Sequence, residues 1–183
     1  PLVERGLRPI VYGSIARGEV REESDVDVLI SYPVSSAMLE LYLEEAGFKP
    51  WRRVLVQATP SYVPKAYIFI DELTSVSYPL SKMREEEAGF YKLAGQIGWE
   101  ELKDGKRVPG MNKQLILIVP TDEGHMEMPV ELNVEEAAKV IGVNPSTLRN
   151  RVRVLKRRNE VGRSGVYREV EVPAGKTFEE VFE

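Results

Sequence analysis

The sequence predicts an α+β chain in two parts. Residues 1–128 read as a small mixed β-sheet with helices, and residues 129–183 as two helices and a hairpin. Three observations carry this. Short apolar strand-like runs are interrupted by one clearly helical stretch across residues 9–80. The character of the chain changes at Val134, where helical spacing and basic residues take over. The length of 183 residues suits one ordinary domain and a small appendage.

In chain order, Pro9 to Tyr12 reads as a short buried strand broken by Gly13-Ser14. Ile15 to Gly18 fits a turn or the start of a helix. Ser24 to Ile30 alternates polar and apolar residues, then becomes wholly apolar, as in a strand with one wet end. Ser35-Ser36 is a helix cap ahead of Met38, Leu39, Tyr42, Leu43 and Ala46, and Gly47 suits the position past the helix end. Arg53 to Gln57, Ala66 to Ile70 and Ser75 to Tyr78 are three further strands, the last two joined by a turn at Asp71-Glu72. A helix is expected over 84–94, with loop to 110. Leu115 to Val119 is a buried strand closed by Pro120, and Thr121 to Pro129 reads as a linker. Val134 to Ile141 and Ser146 to Arg158 are helices either side of a tight Gly142-Val143-Asn144 turn, with Pro145 in the first turn of the second. Val161 to Val172 reads as a hairpin. Helix, turn, helix and hairpin make the outline of a winged helix-turn-helix.

Composition excludes several chemistries. The chain has no Cys and a single His, His125. Disulfide scaffolds, thiolate metal sites, cysteine nucleophiles and paired-His zinc motifs are therefore ruled out. Carboxylate chemistry, phosphate chemistry and binding survive. With 43% hydrophobic and 30% charged residues, the chain can bury a core and stay soluble. The longest apolar run, Leu115 to Val119, is far short of the ~20 residues of a spanning helix. No charged leader followed by an apolar stretch is visible, so the expected compartment is the cytoplasm and no membrane partner is expected. The start at Pro1, not Met, suggests a preceding piece. Scarce Asn and Gln with plentiful Glu, Lys and Arg lean towards a thermophile.

The first chemical constellation joins Gly13-Ser14 to Asp25 and Asp27. Residues two apart in a strand share a side, so Asp25 and Asp27 present two carboxylates together. Like charges held close call for a compensating cation. Mg²⁺ suits one or two carboxylates plus substrate phosphate oxygens. A glycine at a strand-to-helix turn lets backbone approach a phosphate, Ser14 adds a hydroxyl and Arg17 a nearby cation. Ser24 directly precedes the first Asp. The pattern Gly13-Ser14-x-Ala16-Arg17-Gly18, then Ser24-Asp25-x-Asp27, closely resembles the signature of the DNA polymerase β-like nucleotidyltransferase superfamily, above all its minimal prokaryotic and archaeal members. The resemblance implies a short mixed sheet with helices. It implies Mg²⁺-dependent transfer of a nucleoside monophosphate from an NTP to an acceptor. Gly13 and Ser14 would hold the triphosphate, Asp25 and Asp27 the metals. The superfamily's third carboxylate belongs on a later strand, where this sequence has Ser75 and Ser77. Asp71 or Glu72, at the expected turn, are the substitutes. Only eight residues precede Pro9, so the usual helix before the first strand is short or absent.

The second constellation is basic. Residues 145–168 hold Arg149, Arg151, Arg153, Lys156, Arg157, Arg158, Arg163 and Arg168 against one acid, Glu160, in a chain of net charge −4. In a winged helix-turn-helix this places cations on the recognition helix and, with Arg163 and Arg168, on the wing, where DNA or RNA is met. Trp51, Arg52 and Arg53 are a weaker stacking or phosphate candidate, read instead as a strand start with its aromatic packed on the sheet. Two alternatives stand beside the enzyme. One is a DNA-binding regulator that keeps the nucleotidyltransferase fold without turnover. The other is a protein partner of toxin–antitoxin type, or a homodimer.

Overall fold

The computed structural model describes residues 1–162 and 165–182. Contacts divide the chain into two compact, discontinuous units. One comprises Pro1–Ile10, Asp25–Arg84 and Val166–Glu183; the other comprises Val11–Ser24 and Glu85–Gly165. This division differs from the expected one at residue 128. The C-terminal segment belongs with the first strands, and 85–128 belongs with the two C-terminal helices.

The elements in chain order are β1 (Pro9–Tyr12), α1 (Ser14–Arg17), β2 (Val26–Ile30), α2 (Ser36–Glu45), β3 (Arg52–Gln57), β4 (Lys65–Phe69), β5 (Thr74–Pro79), α3 (Glu85–Leu93), β6 (Gln96–Gly98), α4 (Trp99–Lys103), β7 (Gly110–Met111), β8 (Ile116–Pro120), β9 (His125–Pro129), a 3₁₀ turn (Val130–Leu132), α5 (Val134–Ile141), α6 (Pro145–Val161), β10 (Arg168–Glu171) and α7 (Phe178–Phe182).

In the first unit the strands run in the order β10-β3-β4-β5-β2. β10, β3, β4 and β5 pair antiparallel, and β5 pairs parallel with β2. The mixed α+β sheet that the sequence predicts is thus formed. Alternation decides which side of each strand is buried. Ile30, Leu55, Ala66, Ile68, Val76 and Tyr78 form a core with Leu39 and Leu43 of α2 and Phe178 of α7. Asp27, Ser75, Phe69 and Arg52 occupy partnered positions across four strands, so they share the opposite face. Ser35 takes the N-cap position of α2 but makes no side-chain cap bond. Glu179 substitutes: Ser36 Oγ donates to Oε2 at 2.6 Å and the Ser36 amide to Oε1 at 3.3 Å. A carboxylate satisfying orphan donors at a helix start is favourable. Gly47, with φ +86°, ends the helix as its sequence position suggests.

The C-terminal segment is held to this sheet by Arg53. Its guanidinium donates to Glu40 at 2.7 Å, to the Pro173 carbonyl at 3.0 Å and to the Lys176 carbonyl at 2.8 Å. It also lies over the Phe178 ring. Here the expected hairpin over Val161 to Val172 is overturned. α6 runs on to Val161, and Arg168–Glu171 pairs antiparallel with β3. β-favouring residues read as a self-contained hairpin add instead to a sheet edge already present. No winged hairpin is seen among the described residues.

In the second unit, α3, α5, α6 and the antiparallel sheet β7-β8-β9 share one core, built from Leu93, Leu117, Val130, Ala138, Leu148, Val152 and Leu155. The helix-turn-helix pair forms where the sequence places it. Asn133 caps α5 by accepting from the Glu136 amide, Gly142 ends it at φ +78°, and Asn144 caps α6 by accepting from the Ser146 amide, with Pro145 in the first turn. The expected linker over Thr121 to Pro129 is corrected: His125–Pro129 is a strand paired along its length with β8. All five of its residues are exposed, so it leaves no apolar alternation to read. The expected loop over 95–110 likewise contains β6, α4 and the start of β7.

Candidate functional site

The unit boundary falls between Ser24 and Asp25, so each half of the motif is built on its own unit.

Asp25 lies immediately before β2 and is exposed; Asp27 is half-buried within it. The start of β2 is fixed by the Val26 amide, which donates to the Leu73 carbonyl at 2.7 Å. The register sets Asp27 opposite Ser75, and Ser75 Oγ donates to Asp27 Oδ1 at 2.9 Å. Ser75 is only 4% exposed. Ser75, which the sequence offers where the resemblance implies an acid, therefore lies beside Asp27. Ser77 is turned to the Val28 carbonyl, at 3.3 Å. Asp71, the sequence's candidate acid, is engaged in the turn that follows β4. Its Oδ1 accepts from the Leu73 and Thr74 amides at 2.8 and 2.7 Å, which closes the β4–β5 turn. The Leu73 bond, with the Thr74 bonds, holds its pKa below the ordinary value. It is a turn-forming aspartate, typical of its residue type at such a position.

Gly13 precedes α1 with φ +86°, a conformation that L side chains avoid. A Cβ there would meet nothing within 4 Å, so the space above its backbone is open. Its amide donates to the Gly95 carbonyl at 2.9 Å. Ser14 follows, half-exposed. Ser24 Oγ accepts from the Arg21 amide at 2.8 Å, a local turn.

Arg17 departs from its expected role of meeting phosphate. It is 6% exposed. Its Nε and Nη2 donate to Glu19 Oε2 at 3.1 and 2.9 Å, and Nη1 to the Ala94 carbonyl at 2.6 Å. Asn112 Nδ2 donates to the other Glu19 oxygen at 3.1 Å. Burial raises the Glu19 pKa, but the bonds from Asn112 and Arg17 outweigh it and hold the carboxyl below its usual range. Arg17 thus ties α1 to the end of α3. Sequence reading missed this because the partners lie 77 and 93 positions away in the chain.

The basic helix is also sorted by the structure. Arg149 pairs with Glu135 and Lys156 with Glu131, all four exposed. Arg151 lies 5.7 Å from the Phe90 ring centre. Burial, then Arg158, lowers its pKa. It packs against Phe90 within the unit. Arg153 is exposed and donates to Asn150 at 3.0 Å, and Arg157 is exposed. Arg163 lies outside the described residues.

The donor set was tested against a divalent cation. Among the described residues no three His, Cys, Asp or Glu side chains converge. Asp25 and Asp27 are both hard oxygen donors two residues apart. Mg²⁺ is commonly held by one or two carboxylates with substrate phosphates completing its shell. The two acids therefore fit an ion that arrives with a nucleotide better than a resident, fully protein-ligated ion.

A mixed α+β sheet with one aspartate on β2, a second just before it and a Gly-Ser turn earlier in the chain is the outline of a nucleotidyltransferase. Residues 4–108 match the family model of the nucleotidyltransferase domain, more than half of the chain. The chain belongs to that family. No curated protein and no solved structure matches it. No helix among the described residues is long and apolar enough to cross a membrane.

Proposed function

We propose that the protein transfers a nucleoside monophosphate from an Mg²⁺-bound NTP to a hydroxyl-bearing acceptor. Family membership supports generic nucleotidyl transfer. The observation that carries the assignment to this chain's residues is the placement of Asp27 on β2, opposite Ser75, with Asp25 two residues earlier. Asp25 and Asp27 would hold the metal, which neutralises charge on the triphosphate and its leaving group. Gly13 and Ser14 would receive the triphosphate, through open backbone and a hydroxyl. The acceptor oxygen bonds to the α-phosphorus while the bond from that phosphorus to the bridging oxygen breaks, and pyrophosphate leaves. The hydroxyl proton passes to water, because Ser75 stands where an acid would take it. Ser75 keeps Asp27 oriented by donating to one oxygen. Arg153 and Arg157 on α6 are proposed as the cations that meet DNA or RNA.

The test is pyrophosphate release from NTP in the presence of Mg²⁺. The expected result is release that Asp25→Asn removes while the fold is retained. Turnover unchanged by Asp25→Asn would contradict the assignment.

The serine beside Asp27 favours a second reading, in which the protein binds Mg²⁺-NTP without turning it over and acts as a nucleic-acid-binding regulator. That reading expects nucleotide binding that Asp25→Asn removes, with no pyrophosphate released by the native chain.

A further inference from the structure

The chain between α2 and the body of β3 interleaves aromatic and basic residues: Phe48, Lys49, Trp51, Arg52 and Arg53. The sequence reading has Trp51 packed on the sheet. The structure leaves it 57% exposed. Its amide donates to the Phe69 carbonyl at 3.0 Å, so its backbone is fixed at the end of β4 while its ring faces water. Phe48 is also exposed, as is Lys49. Arg53 is committed to Glu40 and the C-terminal segment and takes no part.

Arg52 is different. It stands opposite Phe69, which stands opposite Ser75, which stands opposite Asp27. The four side chains form one row on one face of the first unit's sheet. The Arg52 guanidinium lies 5.7 Å from the Phe69 ring centre and is 39% exposed. Its acidic neighbour is Glu169, at 3.9 Å and itself exposed, a loose pair that a phosphate can replace. Three other acids lie near this end of the sheet, Asp25, Asp71 and Glu72, and Asp71 is engaged by backbone amides. The row spans three strand spacings, roughly 14 Å from Asp27 to Arg52. That is longer than a single nucleoside.

We infer that this row and the exposed Trp51 at its rim are the acceptor site, and that the acceptor is the end of a single-stranded nucleic acid. The inference rests on the nucleotidyl-transfer reading for the identity of the reacting end. The terminal hydroxyl lies at the Asp27–Ser75 end, a backbone phosphate meets Arg52, and a base stacks on Trp51. Aromatic rings interleaved with cations suit single strands because every base has a stacking face and every linkage a charge. A peptide acceptor supplies no phosphate for Arg52, and a lone nucleoside does not reach it.

The test uses the fluorescence of Trp51. The chain has two tryptophans, Trp51 and Trp99. Trp99→Phe therefore makes Trp51 the sole reporter. The full chain is titrated with an eight-nucleotide oligouridylate and, separately, with uridine monophosphate, in the absence of NTP and metal. The expected result is saturable quenching by the oligonucleotide at concentrations where the mononucleotide has none. Arg52→Gln should weaken the oligonucleotide by roughly tenfold, with an unchanged circular dichroism spectrum. Equal quenching by the mononucleotide, no quenching, or quenching of unchanged strength in Arg52→Gln would each overturn the inference. Pyrophosphate release from NTP, measured separately on the unaltered chain, separates it from the reading it rests on: release without Trp51 quenching overturns the acceptor site alone, and quenching without release overturns the transfer reading alone.

Discussion

The two charged regions are built by opposite means. The carboxylates at the start of β2 are placed by backbone: the register between β2 and β5 sets Asp27 opposite Ser75, whose hydroxyl donates to it. The cations of α6 are placed by helix periodicity, and two of them are drawn to acids of their own unit. A position set by a ladder of backbone bonds survives side-chain substitution. A position set by exposed ion pairs is adjustable and sensitive to salt. The difference teaches that the eight cations at 145–168 are not eight contacts, whereas the acids of β2 stand where the sheet puts them.

Breaking the first region should have the largest effect. Asp27→Asn leaves size and register intact, and transfer should fall by about 10³-fold or more, the scale typical of a lost electrostatic partner in a reaction centre. A stopped assay of pyrophosphate release checks it. Ser75→Asp sharpens the same point in the other direction. It restores an acid beside Asp27, and Mg²⁺-dependent release should rise, on the order of tenfold or more. A rate unmoved by this change would mean that Ser75 does not stand in the acid's place.

Next comes Arg17→Ala. It removes a buried cation and leaves the half-buried Glu19 carboxylate with only Asn112 recorded against it among the bonds described above, so unfolding by urea should show a loss of roughly 3 kcal/mol. Glu19 also sets a pH dependence. Its pKa in the folded protein lies below the ordinary value of 4.5. The unfolded chain therefore binds the proton first as pH falls. This stability is fully present above about pH 4.5 and is lost as pH drops through the lower folded value. Acid unfolding of Glu19→Gln should be flatter in that window than that of the native chain.

The smallest effect belongs to the basic helix. Arg153→Ala with Arg157→Ala should reduce the salt slope of nucleic-acid binding by about two, while Arg149→Ala, whose side chain is paired with Glu135, should reduce it less. Equal losses would mean that the ion pairs of α6 open on binding.

Much of this was legible in the sequence because it was local. Strand, Gly-Ser turn and Asp-x-Asp lie within twenty residues, and Gly142 with Asn144 and Pro145 punctuates the two helices directly. What failed was non-local. Arg168–Glu171 has the composition of a hairpin arm, but its partner is β3, more than a hundred residues earlier. β9 carries no alternation because neither face is buried. The engagement of Arg17 is hard to see in the sequence because the Ala94 carbonyl that it meets, and the Asn112 that holds its partner Glu19, lie far away in the chain. Trp51 was read as packed because apolar character alone does not say whether a sheet end is covered.

The central claim is that Asp25 and Asp27 hold a divalent cation for a bound nucleotide. Isothermal titration with a non-hydrolysable ATP analogue, with and without Mg²⁺, tests it most directly. The account predicts binding that requires Mg²⁺ and is lost in Asp27→Asn. Binding of equal strength without Mg²⁺, or in that variant, would contradict it.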